Sequence, residues 1–326
     1  MRRTILRLIT AIQLTRLTMA FGAISDLWFV ILLTQSQKAY YGSMLPQICE
    51  MSTWAALALG AIIAVGLFAF GASLNDVLDF RHDSAFSPER PIPAGRIRMG
   101  QAIVVTTGAL IMAILASVFF WDIGSILVTL LTATGILFYN AAGKHIPVMG
   151  FVTVGLVHAC HMFIPNRELV FTLPVWLVMS HSMAIAMTVY VLEDKRPKMT
   201  RVTIFATAIG WLVWSAILLG AGMNREGRLL PEGTSPAGLV YPMLAVVAFV
   251  IVAWWKITGV PNRAGAEKMR RYGAMWQSWY GAAWMMTLGL TGQALLLGLL
   301  AVAGFTAMTL IKEITGTTDK PIEYRG

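Results

Sequence analysis

Charge is what this chain has least of. Asp, Glu, Lys and Arg make up 13% of its 326 residues, about half the share a soluble domain carries. A soluble protein of this length would need more charge to cover its surface, so lipid is the solvent for most of the chain. Cysteine is also scarce. Cys49 and Cys160 form no CxxC pair and no metal-ligand spacing, and they say little about redox compartment. GxGxxG, P-loop and nucleophile-elbow motifs are all missing, which removes the usual footing for soluble nucleotide and hydrolase chemistry.

Apolar sequence fills the space. Hydrophobic residues are 57% of the chain, and a membrane-spanning helix needs about 20 of them in a row. Nine runs qualify, at roughly 17–36, 54–75, 102–120, 123–140, 148–165, 171–192, 202–222, 238–256 and 281–311. No soluble domain fits between them, so residues 1–326 are expected to form a single transmembrane domain, all-α and polytopic. The N-terminal residues 1–16 are basic but lack an A-x-A cleavage site, and the apolar run after them is too long for a signal peptide. They are expected to stay on the chain as an amphipathic lead-in. The longest link, about 255–280, mixes Arg263, Lys268, Arg270 and Arg271 with Trp276, Trp279 and Tyr280. That mixture suits a basic interfacial helix with an aromatic belt.

The net charge of +9 does not point to nucleic acid, because the cations sit in short loops as topology signals do. With nine spans, 18 Lys and Arg fall on the N-terminal side and 7 on the other. The N-terminus is therefore expected in the cytoplasm and the C-terminus across the membrane, which is the plasma or inner membrane if the source is bacterial.

The second run ends in Leu74-Asn75-Asp76-Val77-Leu78-Asp79-Phe80-Arg81-His82-Asp83. Asn75, Asp79 and Asp83 are spaced i, i+4, i+8, which stacks three oxygen-bearing side chains on one helix face with Asp76 beside them. Hard oxygen ligands suit Mg²⁺, which keeps several waters and takes one or two carboxylates plus substrate phosphates. Acids at a membrane helix end mark a functional site by default. A solvated helix end is the bland alternative. Ser87-Pro88-Glu89-Arg90-Pro91-Ile92-Pro93-Ala94-Gly95-Arg96 follows directly.

NDxxDxxxD followed by RPxPxGR resembles the UbiA family of intramembrane prenyltransferases, and the nine-span layout is similar to that family across the chain. The resemblance implies a helical bundle around a central cavity. It also implies Mg²⁺ as cofactor, with Asn75, Asp76, Asp79 and Asp83 in its site and Arg90 and Arg96 near the diphosphate. The family's second motif, DxxxD, falls at Tyr190-Val191-Leu192-Glu193-Asp194-Lys195-Arg196-Pro197-Lys198. Asp194 stands for the first Asp, a metal ligand facing Asn75, Asp79 and Asp83 with Glu193 beside it, and Lys198 replaces the second. Either Glu193 compensates and Lys195, Arg196 or Lys198 neutralises phosphate, or this half of the site is degraded. Tyr139 and Lys144, at the end of the fourth run, match family positions that help hold the diphosphate; snorkelling also predicts a Lys there. Tyr190 belongs to the same diphosphate or acceptor set.

Asp26 lies inside the first run, where a charge must face protein or a cavity. It could orient an acceptor, act as a base or bond a neighbouring helix. His158 and His161 fall toward the outer half and suit interhelical hydrogen bonds better than haem or metal. His181 could line the acceptor pocket. The 19 Met and 11 Trp suit lipid-facing and belt surface, with some available to line a prenyl tunnel. The resemblance implies an isoprenoid-biosynthesis enzyme. It would move a prenyl group from a polyprenyl diphosphate, through an allylic cation, to an electron-rich, aromatic acceptor. Asp79, Asp83 and Asp194 would carry the chemistry. A membrane terpene cyclase and a non-catalytic protein reusing the fold are the alternatives.

Overall fold

A computed structural model describes residues 20–38, 46–120, 123–226, 229–232 and 234–316. The N-terminal lead-in at 1–16 and the Trp121-Asp122 turn lie outside the described residues. Eleven α-helices follow in order: α1 Phe21–Ser36, α2 Thr53–Leu78, α3 Phe80–Phe86, α4 Met99–Val118, α5 Ile123–Ala141, α6 Pro147–Met162, α7 Leu173–Leu192, α8 Arg201–Glu226, α9 Val240–Ile257, α10 Asn262–Thr287 and α11 Thr291–Gly316. Seven segments are long and apolar enough to cross a membrane, and α1 and α6 are shorter apolar helices. These nine correspond to the nine runs in the sequence. The protein is a polytopic α-helical membrane protein.

Its core is central and its outer helices are greasy. Ser25 to Leu27 and Phe29 to Thr34 of α1 are all buried, and α1 packs against α2, α6, α10 and α11. By contrast α8 and α9 present Val202, Phe205, Val250, Trp254 and Trp255 outward. Apolar surface on that scale marks contact with lipid rather than water.

The structure corrects the end of the chain. The run at 281–311 is not one helix, and 255–280 is not an interfacial helix. A single helix, α10, begins at Asn262 and runs to Thr287. At one end its Gly265 approaches Leu192 and Ile257. At the other, Thr287 Oγ1 donates to Gly238 O at 2.9 Å. Gly289, with φ 72°, supplies the left-handed conformation that ends a helix without a Cβ penalty. The chain then turns back as α11, whose Gly304 meets Phe21 at the start of α1. The described end of α11 therefore lies at the same end of the bundle as the start of α1, not across from it. The charged first turns of α10 hide it from a hydropathy reading, yet Met269, Gln277, Tyr280, Trp284 and Met285 are buried.

Candidate active site

Asn75 and Asp76 ride on the last turn of α2, and Asp79 caps it with φ −85° and ψ 4°. The hydrogen-bond ladder bridges the break, from Asp79 N to Asn75 O and from Asp83 N to Asp79 O. The change of direction separates the acids into two sets. Asn75 and Asp79 line a cavity. Asp83 and Asp76 turn to Arg90, whose Nη1 lies 2.5 Å from Asp83 Oδ2 and 3.5 Å from Asp76 Oδ1. The single stripe read from the i, i+4, i+8 spacing is thus broken at Asp79.

The proline-glycine loop serves to place Arg90. It closes through Arg96 N to Pro91 O and Gly95 N to Ile92 O. Arg96 donates from Nη2 to Glu89 O at 2.9 Å, tying the loop rather than lining the cavity. Opposite, the turn after α5 presents Lys144, whose Nζ donates to Asn75 Oδ1 at 3.0 Å and Asp79 Oδ1 at 2.6 Å. Two hard oxygens therefore converge on one cationic point. Tyr139 stands beside them on the wall.

The second acidic stretch is built differently from the expectation. Helix α7 stops at Leu192, so Glu193 and Asp194 lie past its end. Glu193 is ion-paired with Arg270 of α10 and sits 3.1 Å from Lys195. Asp194 adopts φ 48°, a left-handed conformation Asp tolerates. Its side chain is 68% exposed, with Arg196 at 4.0 Å. Asp194 is thereby turned away from the cavity, which corrects its reading as a ligand facing Asn75. Lys198 is exposed and likewise outside the lining. Tyr190, Lys195 and Arg196 do line it, and Tyr190 donates its hydroxyl to Pro197 O at 2.5 Å.

The cavity measures about 800 Å³, within the range of sites that enclose a ligand. Six cations rim it (Arg90, Lys144, Lys195, Arg196, Arg270 and Arg271) against the carboxylates of Asp79 and Glu267. Below the rim the wall is apolar and aromatic, with Leu67, Phe68, Ile136, Phe151, Val154 and Val189. An arrangement of this kind neutralises a polyanion at its mouth and shelters a hydrocarbon beneath it.

Deeper still come His158, His161, His181 and Gln277. His181 lines the cavity as expected, but its nitrogens are occupied: Nε2 lies 3.0 Å from Gly273 O and Nδ1 3.2 Å from Tyr280 Oη. A carbonyl can only accept, so Nε2 carries the proton and Nδ1 accepts from Tyr280. His158 makes the interhelical contacts expected of it, to Asp26 on α1 and Gln277 on α10, while also facing the cavity. Asp26 is 2% exposed and sits behind His158. The site residues that sequence reasoning missed are mostly on α10. Glu267, Arg270, Arg271, Ala274 and Gln277 recur at steps of three or four along it, the period of one helix face. That stripe was the available signal.

Comparison with known proteins gives a consistent picture. The UbiA prenyltransferase family profile matches residues 39–278. A digeranylgeranylglyceryl phosphate synthase of Methanococcus maripaludis strain C6 is 32% identical over 87 residues, covering 27% of this chain and 31% of that protein. One from strain S2 is 28% identical over 122 residues, 37% of this chain and 43% of its own length. The chain thus matches less than half the length of these relatives. A broader match, to the synthase of that name from Metallosphaera sedula, is 24% identical and covers 66% of this chain and 77% of the relative. A solved structure, described as giving insights into digeranylgeranylglyceryl phosphate synthase in membranes, aligns with a TM-score of 0.53. It covers 88% of this chain and 99% of its own at 16% identity, a likeness of fold alone.

Proposed function

Because the chain belongs to the UbiA prenyltransferase family, we propose that it transfers a prenyl group from a polyprenyl diphosphate to an electron-rich acceptor inside the membrane. The observation that carries this reading is the cavity itself, a cation-rimmed mouth over an apolar well. The diphosphate takes the mouth and the prenyl chain takes the well. The basic end of the bundle faces the cytoplasm, as the distribution of Lys and Arg favours.

Mg²⁺ is the metal this family implies, and one pair of donors fits it. Asn75 Oδ1 and Asp79 Oδ1 are hard oxygens that already share one cation, the Lys144 ammonium. They would hold Mg²⁺, with waters and diphosphate oxygens completing its shell. Bound there, the ion supplies charge neutralisation for the departing diphosphate. The second stretch does not fit. Glu193 is engaged by Arg270 and Lys195, and Asp194 points outward. Among the described residues no group of three or more His, Cys, Asp or Glu is placed to hold a metal ion. Glu193 and Asp194 are therefore not placed to hold a second ion.

The side chains account for the rest of the chemistry. Lys144, Lys195, Arg196, Arg270 and Arg271 hold the diphosphate and stabilise the charge that grows on it as the C–O bond breaks. Apolar walls keep water from the allylic cation, which would otherwise be quenched to an alcohol. Phe68, Tyr139, Phe151 and Tyr190 line the space below the mouth and offer aromatic faces to a cation. The acceptor attacks from the well. The test is turnover of a prenyl diphosphate by purified Asp79→Asn. Loss of about a hundredfold is expected for one preorganised charge at such a site; undiminished turnover without Mg²⁺ would overturn the proposal.

A further inference from the structure

The second acidic stretch is shaped by the way α7 ends. Lys195 N donates to Tyr190 O at 3.2 Å and Asp194 N to Val191 O at 3.1 Å, with Asp194 itself at φ 48°. This is the Schellman pattern, in which one left-handed residue closes the last turn of a helix. Two acids spaced i, i+4 share a face only if the helix continues through both. Here it stops at Leu192, and the turn leaves Asp194 mostly exposed.

Glu193 and Lys195 stay close to the cavity. The end of α7 lies on α10, where Leu192 meets Gly265, and this sets Glu193 beside Arg270. The carboxylate divides its oxygens between two cations. Oε1 takes Arg270 Nη2, and Oε2 lies 3.1 Å from Lys195 Nζ. Only 12% of the Glu193 side chain is exposed. Arg270 and Lys195 both line the cavity, and Glu193 does not. The acid thus stands behind two cations and holds them at the mouth.

We propose that Arg270 and Lys195, held by Glu193, form a fixed cationic clamp that takes the diphosphate in place of a second divalent ion. The inference rests on the prenyl-transfer reading and gives its site one ion rather than two. Two cations sharing one carboxylate leave one net positive charge, as a divalent ion on one carboxylate would. Arginine also presents a planar fork of N–H donors that matches phosphate oxygens. Glu193 engages one terminal nitrogen of that fork, which leaves other donors to meet a phosphate. Unlike an ion, the clamp does not exchange with solvent, so it is present at any Mg²⁺ concentration. Glu193 is its positioning residue. The clamp stands where α10 meets the end of α7, and Asn75, Asp79 and Lys144 stand at the ends of α2 and α5. Tyr139 lies within electrostatic reach of Asp79, Glu193 and Arg270 alike, so one diphosphate beside it can meet both groups.

The test counts ions and then separates them from the clamp. The purified full chain in detergent is dialysed to equilibrium against Mn²⁺ with saturating pyrophosphate, and the ions retained per chain are counted. One is expected. Glu193→Gln should leave that count at one, because its carboxylate is not a ligand. Pyrophosphate affinity is then measured by calorimetry with Mg²⁺ and, separately, with EDTA. Arg270→Gln should weaken it by roughly tenfold to a hundredfold under both conditions, since the clamp acts without metal. Arg270→Lys keeps the charge but not the fork and should recover part of the loss. Mn²⁺ affinity without pyrophosphate should not fall in Arg270→Gln, as it would if the substitution had damaged the fold. Two ions per wild-type chain, loss of an ion in Glu193→Gln, or weakening by Arg270→Gln that appears only with Mg²⁺ or not at all would each overturn the clamp. The wild-type count and Glu193→Gln decide the matter should Arg270→Gln fold poorly. Geranyl S-thiolodiphosphate distinguishes the two levels of the argument. A count of two with the thiolodiphosphate still bound would overturn the clamp alone. A thiolodiphosphate that binds under neither condition would overturn the prenyl-transfer reading and the clamp with it.

Discussion

Lys144 is the residue on which the metal question turns. Its ammonium occupies the point where Asn75 Oδ1 and Asp79 Oδ1 converge, so a divalent ion bound there would compete with Lys144 for the same oxygens. Lys144→Met should tighten Mn²⁺ binding, read by electron paramagnetic resonance. It should also weaken pyrophosphate binding by about tenfold, because one charged hydrogen bond is lost. Mn²⁺ binding that stays unchanged or weakens would refute the competition. Arg270→Gln should weaken pyrophosphate by roughly tenfold to a hundredfold and free Glu193 from its partner. Lys198→Asp rewrites the DxxxD spelling but should leave the Mn²⁺ stoichiometry unchanged, since position 198 is exposed and off the cavity. Two ions per chain in that variant would show that the spelling, and not the geometry, had been limiting. Among the individual residues, Asn75, Asp79, Lys144, Tyr139 and Tyr190 were legible because motif and helix end coincide. Asp83 and Asp194 were not, because a helix break and a left-handed residue rotate them away, and neither event has a mark in the spacing.

Helix α10 decides what was legible among the elements. Its first turns carry Arg263, Glu267, Lys268, Arg270 and Arg271, which depress any hydropathy average over the segment. A lipid-facing helix cannot carry such charge, but α10 packs among α1, α7, α9 and α11, and its charges open onto the cavity mouth. The nine apolar helices were readable because lipid imposes composition on them. A helix enclosed by its neighbours escapes that constraint. The contact of α10 with α1 is correspondingly close. A Cβ at Gly22 would lie 2.4 Å from the Ala274 carbonyl oxygen as well as against Gln277. Backbone cannot step aside as a side chain can, so Gly22→Ala should destabilise the fold by about 1–3 kcal/mol. The readout is a lowered thermal midpoint in detergent. An unchanged midpoint would mean that α1 and α10 are free to separate.

At the scale of the whole molecule, α10 changes the topology without adding a recognisable apolar span. Counting nine apolar runs puts the chain's two ends on opposite sides, and the steady bias of Lys and Arg agrees through α9. The traverse of α10 then reverses the direction of the last helix. Met308 of α11 consequently lines the same cavity as Asn75 and Arg270, and the basic rim closes from both halves of the chain. Cysteine labelling separates the two topologies. In a background of Cys49→Ser and Cys160→Ser, single cysteines at Ser235, Asn262 and Gly316 are exposed to an impermeant maleimide in vesicles of known orientation. Asn262→Cys and Gly316→Cys should label from one side, and Ser235→Cys from the other. If the α10–α11 turn did not reach the far side, Asn262→Cys and Gly316→Cys would label from opposite faces. The placement of Gln277 and Met308 on the wall shared with Asn75 would then fail with it.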